Sequence, residues 1–481
     1  MPFGDQLTRR AQADPDQVAV IMVAPDGTEH AVTLDRLDRG ANQWGRVLAA
    51  EGAGLGDLVG IAIPNSLEFI LAALGCWKIG AVPVPMRWDL PAWENSRLLE
   101  VLAAAVVVGE DNRDALIAES AQQDDAPLPA IASPMQNGIC SSGSTGLPKI
   151  ILNTRVAEWT TALSEPFVAH WAPVPRPQTI LVPGPMYHTN GFNPLFYLLG
   201  GDRIVVLEKF SATGVLDAIE RHGVTHFTAT PTMLGRIADA GAADRDLSTV
   251  AWIMQGAASM PPDLLRRWFE LLSPERIIMA YGMTENLGLA TLRGDEWLRH
   301  PGSVGRGFRE TEISIRDEQG EAVPTGEIGE IYLRAPMNDT FRYLGGATPA
   351  VPTVDGFRSA GDLGSLDEDG YLYIADRRTD MIVTGGANVF PAEVENALIA
   401  HTDIVDVVVL GLRDPEWGRR VHAVVQMADG ADGLTADDVI AYAKGRLARY
   451  KVPKTVEFVD EIPRSAATKV SRSAMLEARG G

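Results

Sequence analysis

The chain has 481 residues, two cysteines and a formal net charge of −21. That length gives room for roughly two to four domains and an ample core. The acidic balance excludes a general nucleic-acid or anionic-membrane surface, so any anionic ligand has to be met by local cations. Cys76 and Cys140 are too far apart for a Cys-x-x-Cys site and no His/Cys grouping has zinc spacing, which fits a reducing compartment. Met1-Pro2-Phe3-Gly4-Asp5 does not lead from a basic into an apolar segment, and no apolar run approaches about 18 residues; a cytoplasmic protein without a membrane span is expected.

Along the first two-thirds, short β-branched runs alternate with helix-like stretches, the pattern of a parallel sheet covered by helices. The expected strands are Val18–Val23, Leu58–Ile63, Ala81–Val84, Val106–Val108, Thr179–Val182, Arg203–Leu207, His226–Ala229, Val250–Met254 and Ile277–Ala280. Asn65 with Glu68 reads as a capping box that opens a helix ending before Gly80, and Phe69, Ile70, Leu71, Leu74, Trp77 and Ile79 make that helix apolar nearly all round, hence buried. Residues 121–134 read as a polar surface loop. From about Thr311 the pattern turns to strict alternation, in Glu312–Arg316 and Glu330–Arg334, which predicts a small antiparallel β subdomain over about 311–375. Beyond it the chain reads as a compact α+β piece. A helix starts at Pro391, strands follow at Val405–Leu410 and Val421–Met427, a helix is capped by Thr435 with Asp438, and a strand closes at Thr455–Val459. The expected division is a domain over 1–378 and a smaller one over 379–481.

The stretch Cys140-Ser141-Ser142-Gly143-Ser144-Thr145-Gly146-Leu147-Pro148-Lys149 combines backbone freedom, hydroxyls and one cation. Gly143 and Gly146 permit close backbone approach, so successive N–H groups can surround anionic oxygens, with Ser141, Ser142, Ser144 and Thr145 as further donors and Lys149 as the charge. It is not the common G-x-x-x-x-G-K-[ST] loop, because Leu147-Pro148 separates the lysine from the second glycine. Taken alone it also reads as a Ser/Gly linker. Tyr281-Gly282-Met283-Thr284-Glu285 follows a strand, where a hydroxyl and a carboxylate meet phosphates and magnesium at the carboxyl end of a parallel sheet, or where a strand simply exits into a loop. Gly361-Asp362-Leu363-Gly364 offers an acid suited to two ribose hydroxyls, or an ordinary Gly-Asp turn. Lys469 lies in a polar loop-like segment.

In this order and across almost the whole length, these stretches resemble the adenylate-forming superfamily of acyl- and aryl-CoA ligases, luciferases and peptide-synthetase adenylation domains. The resemblance covers the 141–149 loop, Pro185-Met186-Tyr187-His188, Gly256-Ala257-Ala258, Tyr281–Glu285, Asp362, Arg377, Gly385-Gly386 and Lys469. It implies an α/β fold: a large N-terminal domain of two mostly parallel sheets plus a small β subdomain, and a mobile C-terminal α+β domain. It implies ATP, Mg²⁺ and coenzyme A. Thr284 and Glu285 would contact the α-phosphate and Mg²⁺, Asp362 the ribose, Arg377 ribose or phosphate, and Tyr281 with the backbone of Gly256, Ala257 and Ala258 the adenine. Lys469 would bridge the carboxylate and the α-phosphate in adenylation. After rotation of the C-terminal domain, Gly385 and Gly386 would line the thiol path, which His188 would gate or orient.

The sequence departs from the family pattern at Thr379 in the hinge, where Asp or Lys is usual, at Thr468 before the lysine, where Gly is usual, and at Ile150. These departures leave room for a ligase weaker at adenylation than at thiol transfer. His188–Asn193 carries no carboxylate to pair with an amino-acid ammonium, and Phe192–Leu199 and Met254–Met260 are largely apolar, as either pocket wall or core. The wording of 141–146 and 375–382 is similar to that of ligases of steroid, bile-acid and terpenoid carboxylates, so the expected substrate is a hydrophobic, polycyclic acid. Two other readings are an adenylation module that loads the phosphopantetheine arm of a carrier protein, and a non-catalytic nucleotide-binding protein on the same fold.

Overall fold

The computed structural model describes residues 1–90, 92–142, 148–256, 258, 260–336, 340–344, 352–377, 380–384, 387–414, 417–428, 430–431, 433–464 and 470–480, with 93–94, 141–142, 148, 376–377, 383, 387–388 and 473 described in backbone only. A nine-stranded sheet dominates the large domain. Its strands run in the order Arg306–Gly307, Leu289–Arg293, Ile277–Gly282, Trp252–Gln255, His226–Ala229, Thr179–Val182, Arg203–Leu207, Val18–Val23, Glu29–Thr33. From Ile277–Gly282 through Val18–Val23 every neighbour is parallel, and both edges are antiparallel. The central strands are buried on both faces, which is why they read as continuous apolar runs. A second, all-parallel sheet of three strands has Leu58–Ala62 between Val82–Pro85 and Val106–Gly109.

The helix Leu67–Ile79 is packed on every side, and Phe69, Ile70, Leu74 and Trp77 are fully buried. Its C-terminus is the expected Gly80, in the left-handed region at φ 75°. Its N-cap is Ser66, whose hydroxyl accepts from Phe69 N, and not Asn65. Asn65 is occupied elsewhere, and Glu68 forms an ion pair with Arg113.

One buried charge pair joins three helices. Lys78 Nζ donates to Asp38 Oδ1 and to Thr8 Oγ1, with Lys78 4% and Asp38 5% exposed. Removing one partner leaves the other charge buried and uncompensated, so Lys78→Ala is expected to cost about 3–5 kcal/mol. The measurement is the shift of the urea midpoint. The double change Lys78→Met, Asp38→Leu should recover most of the loss, because it removes both charges and puts apolar groups of similar outline in their place.

The alternating segments pair as expected, Glu312 opposite Arg334 through Arg316 opposite Glu330. Phe357–Leu366, Leu372–Arg377 and Thr353–Val354 complete that sheet. One strand leaves it: Phe341–Leu344 pairs with Pro148–Asn153, which pairs with Asn137–Ser142. The motif 141–149 therefore rises from an antiparallel hairpin, where sequence indicated only a loop. The C-terminal piece has its own sheet and core. Ile404–Asp414 and Gly418–Met427 form a long hairpin, and Thr455–Val459 joins in parallel. The helix Ala436–Lys444 begins with the full capping box of Thr435 and Asp438.

Candidate functional site

Because the five strands Thr179–Val182, Arg203–Leu207, His226–Ala229, Trp252–Gln255 and Ile277–Gly282 are parallel, the loops that follow them leave from one edge of the sheet. Tyr187 and His188, Gly256 and Ala258, and the run Tyr281–Glu285 all lie on these loops or strand ends. The first and last of them touch: Thr189 Oγ1 is 3.5 Å from Thr284 Oγ1. At Gly256 a Cβ would stand 3.3 Å from Ala280 O, so the backbone there lies close against the neighbouring strand.

Asp362 belongs to the same constellation, and not as a turn. It sits inside the ten-residue strand Phe357–Leu366, whose register against Gly329–Arg334 moves from Glu330–Leu363 to Tyr332–Ser359. Three residues thus stand opposite one, a bulge that re-aims the strand, and Gly361 absorbs it at φ 75°. The Tyr281 hydroxyl donates to Asp362 Oδ2 at 2.6 Å. Arg377 is the strand partner of Asp362.

Glu285 and Lys149 meet through a residue that sequence reasoning did not single out. The Tyr343 hydroxyl donates to Glu285 Oε1 at 2.8 Å, and Lys149 Nζ stands 5.6 Å from the centre of the same ring. Burial first, and the Glu285 carboxylate second, push the Tyr343 phenol well above its ordinary value, so at neutral pH it stays a donor. Tyr343 reaches this place because its strand pairs with Pro148–Asn153, Tyr343 opposite Ile151. Nothing in Phe341-Arg342-Tyr343-Leu344 distinguishes such a role from a short β run.

Tyr187 packs on His188 at 4.5 Å between ring centres. Its hydroxyl is buried with no hydrogen-bond partner among the described residues, and burial pushes its pKa up to about 12. Asn65, expected from the sequence as a helix cap, holds this loop with its side-chain amide. Phe192–Leu199 resolves as core: Phe192, Leu195, Phe196, Leu198 and Leu199 are buried, and Phe196 stacks on Trp77 at 5.8 Å.

Gly143, Ser144, Thr145 and Gly146, together with Ala257, Gly385, Gly386 and Lys469, lie outside the described residues; so do Thr379 and Thr468. Ser141 and Ser142 are placed by their backbones, Ser141 opposite Lys149. Either side of 465–469 the chain is tied down. Arg464 forms a two-pronged pair with Asp406 at 2.6 Å, and Arg472 binds Glu395 at 2.5 and 2.6 Å and Asp380 at 3.3 Å.

Residues 7–342 match the family model of AMP-binding enzymes, and residues 393–469 match that of the AMP-binding enzyme C-terminal domain. The chain is 32% identical to a feruloyl-CoA synthase of Amycolatopsis sp, over 97% of each chain. It is 30% identical to a long-chain-fatty-acid–CoA ligase of Mycobacterium tuberculosis, covering 99% of this chain and 98% of that one. Among solved structures it is similar to the o-succinylbenzoate coenzyme A synthetase of Bacillus subtilis in complex with ATP and magnesium ion, with a TM-score of 0.83 and 27% identity over 98% of this chain and 99% of that one.

Proposed function

The chain belongs to the AMP-binding enzyme family, and from that premise we propose that it is an ATP- and Mg²⁺-dependent, AMP-forming ligase that converts a hydrophobic carboxylic acid to its adenylate and then to its CoA thioester. The observation that carries this reading is the convergence at one sheet edge of Thr284, Glu285, Tyr281 with Asp362, and Lys149 through Tyr343. In it, Asp362 accepts the ribose hydroxyls, Thr284 and the 141–149 stretch hold phosphates, and Glu285 is the protein's ligand to magnesium. Among the described residues no three His, Cys, Asp or Glu side chains group to hold a metal. A divalent ion held by one carboxylate would then fill its shell with phosphate oxygens and water, the usual arrangement for Mg²⁺ on a nucleotide. Lys469 serves adenylation, and Gly385, Gly386 and His188 serve thiol transfer.

As to the acid, the relatives above are named for an aryl and a long-chain aliphatic acid, which supports a hydrophobic substrate and gives no support to a polycyclic skeleton. The absence of a carboxylate in His188–Asn193 speaks against an amino acid. The test is a mass-spectrometric panel of aryl, fatty and polycyclic acids with ATP, Mg²⁺ and either CoA or a holo-carrier protein. CoA thioesters of aryl or aliphatic acids are the expected products. Thioester on the carrier alone would replace CoA as acceptor, and no pyrophosphate release with any acid would overturn the enzyme.

The Tyr281 hydroxyl keeps Asp362 oriented by a charge-assisted bond, a class worth about 1.5–3 kcal/mol. Tyr281→Phe should therefore raise the KM for ATP by about tenfold or more and leave kcat nearly unchanged, as measured by initial rates of pyrophosphate release.

A further inference from the structure

Asn65 lies three residues beyond the three-stranded sheet's Leu58–Ala62 in the loop ahead of the helix Leu67–Ile79, and Ser66 already caps that helix. The Asn65 amide reaches into the large sheet instead. Nδ2 donates to Gly184 O at 2.9 Å and to Leu207 O at 3.0 Å, while Oδ1 accepts from Met186 N at 2.8 Å. Between Gly184 and Met186 stands Pro185, which has no N–H of its own to anchor the chain. One carboxamide thus satisfies the acceptor before the proline and the donor after it, and its second hydrogen ties both to the end of the strand Arg203–Leu207. No other side chain offers two donors and an acceptor in that plane at that length.

The anchored residues lead directly to Tyr187 and His188 through a turn closed by its own hydrogen bonds. His188 N donates to Pro185 O at 3.3 Å, Gly191 N donates to His188 O at 3.0 Å, and a Cβ on Gly191 would fall 2.2 Å from Pro185 O. The next residue, Thr189, touches Thr284. We propose that Asn65 is a positioning residue for the thiol-transfer step: its carboxamide sets the place of the 184–188 loop and so of Tyr187 and His188. This rests on the reading of the chain as an acid–CoA ligase in which that loop borders the thiol path.

The experiment compares thioester formation from a supplied acyl-adenylate and CoA with pyrophosphate release from acid and ATP, in Asn65→Ala, Asn65→Asp and His188→Ala. Asn65→Ala is expected to slow thioester formation by about tenfold or more, the size of effect that follows from misplacing a reacting group, and to change pyrophosphate release much less. Asn65→Asp should be as slow at about pH 8 and recover relative to the parent enzyme near about pH 6. A protonated carboxyl facing carbonyls can donate one bond and still accept from Met186 N, and burial raises the pH at which it does so. A merely structural residue would depress both half-reactions together and, in Asn65→Asp, restore both together at low pH, and that outcome overturns the proposal. So does a parental rate of thioester formation in Asn65→Ala. A parental rate in His188→Ala beside a slow Asn65→Ala overturns the role given to His188 and leaves Tyr187 as what Asn65 sets.

Discussion

Lys469→Ala is expected to reduce acyl-adenylate formation by about 10²–10³-fold, the usual loss when one preorganised charge aimed at a developing transition state is removed, while CoA transfer from a supplied acyl-adenylate stays close to the parent rate. When a carboxylate attacks the α-phosphorus, two anions meet and negative charge spreads over the equatorial oxygens. In an acidic protein of net charge −21 that charge needs a cation brought to it. Lys469 is suited to this, because the chain on either side of 465–469 is held by arginine forks, Arg464 on Asp406 and Arg472 on Glu395 and Asp380. The second half-reaction expels AMP from an adenylate already formed and asks nothing of that lysine. Pyrophosphate release and thioester formation, measured separately on one preparation, decide the matter. An equal loss of both would show that a single arrangement serves the two steps.

The parallel strands of the large sheet were legible because a strand covered on both faces is an unbroken apolar run, as in Arg203–Leu207, whereas its antiparallel edge strands Glu29–Thr33, Leu289–Arg293 and Arg306–Gly307 were not among those expected. The capping box at Thr435 was legible for the opposite reason: its whole signal is local, a hydroxyl and a carboxylate three residues apart. The same local pattern at Asn65 and Glu68 misled, because Ser66 competes for the cap and Asn65 finds three better partners that are more than a hundred residues away in the chain. The hairpin below Ser141 and Lys149 was hidden by its own serines and glycines, which read as loop whether or not strands flank them. Gly361-Asp362 left a ribose-facing acid and an ordinary turn both open from its composition; Gly361 does take a turn residue's φ, yet that conformation serves a bulge within a strand.

Tyr343 shows the limit most plainly. Its partners are Glu285, in the turn that follows Ile277–Gly282, and Lys149, in the strand Pro148–Asn153, and their meeting depends on Phe341–Leu344 pairing with that strand and not with the β subdomain. Periodicity reports which face of an element is apolar and says nothing about which element will be adjacent. The candidate acids, hydroxyls and cation could therefore be named from the sequence, whereas the Tyr343 contact to Glu285 and the Asn65 contacts to the 184–186 backbone could not.

That arrangement makes Glu285→Gln the other decisive substitution. Gln keeps the acceptor that the Tyr343 hydroxyl uses at 2.8 Å and removes only the charge, so the fold and the hydrogen bond should survive. If Glu285 is the protein's own ligand to magnesium, a neutral amide in its place weakens the hold on a hard cation that prefers anionic oxygen. Adenylation should fall by about 10²-fold, and the Mg²⁺ concentration that half-saturates pyrophosphate release should rise. Tyr343→Phe separates orientation from charge: it frees the carboxylate without neutralising it, so its loss should be smaller and its magnesium requirement near that of the parent. A Glu285→Gln enzyme that is slow yet shows an unchanged magnesium requirement would place the metal elsewhere and leave Glu285 a partner of Tyr343 alone.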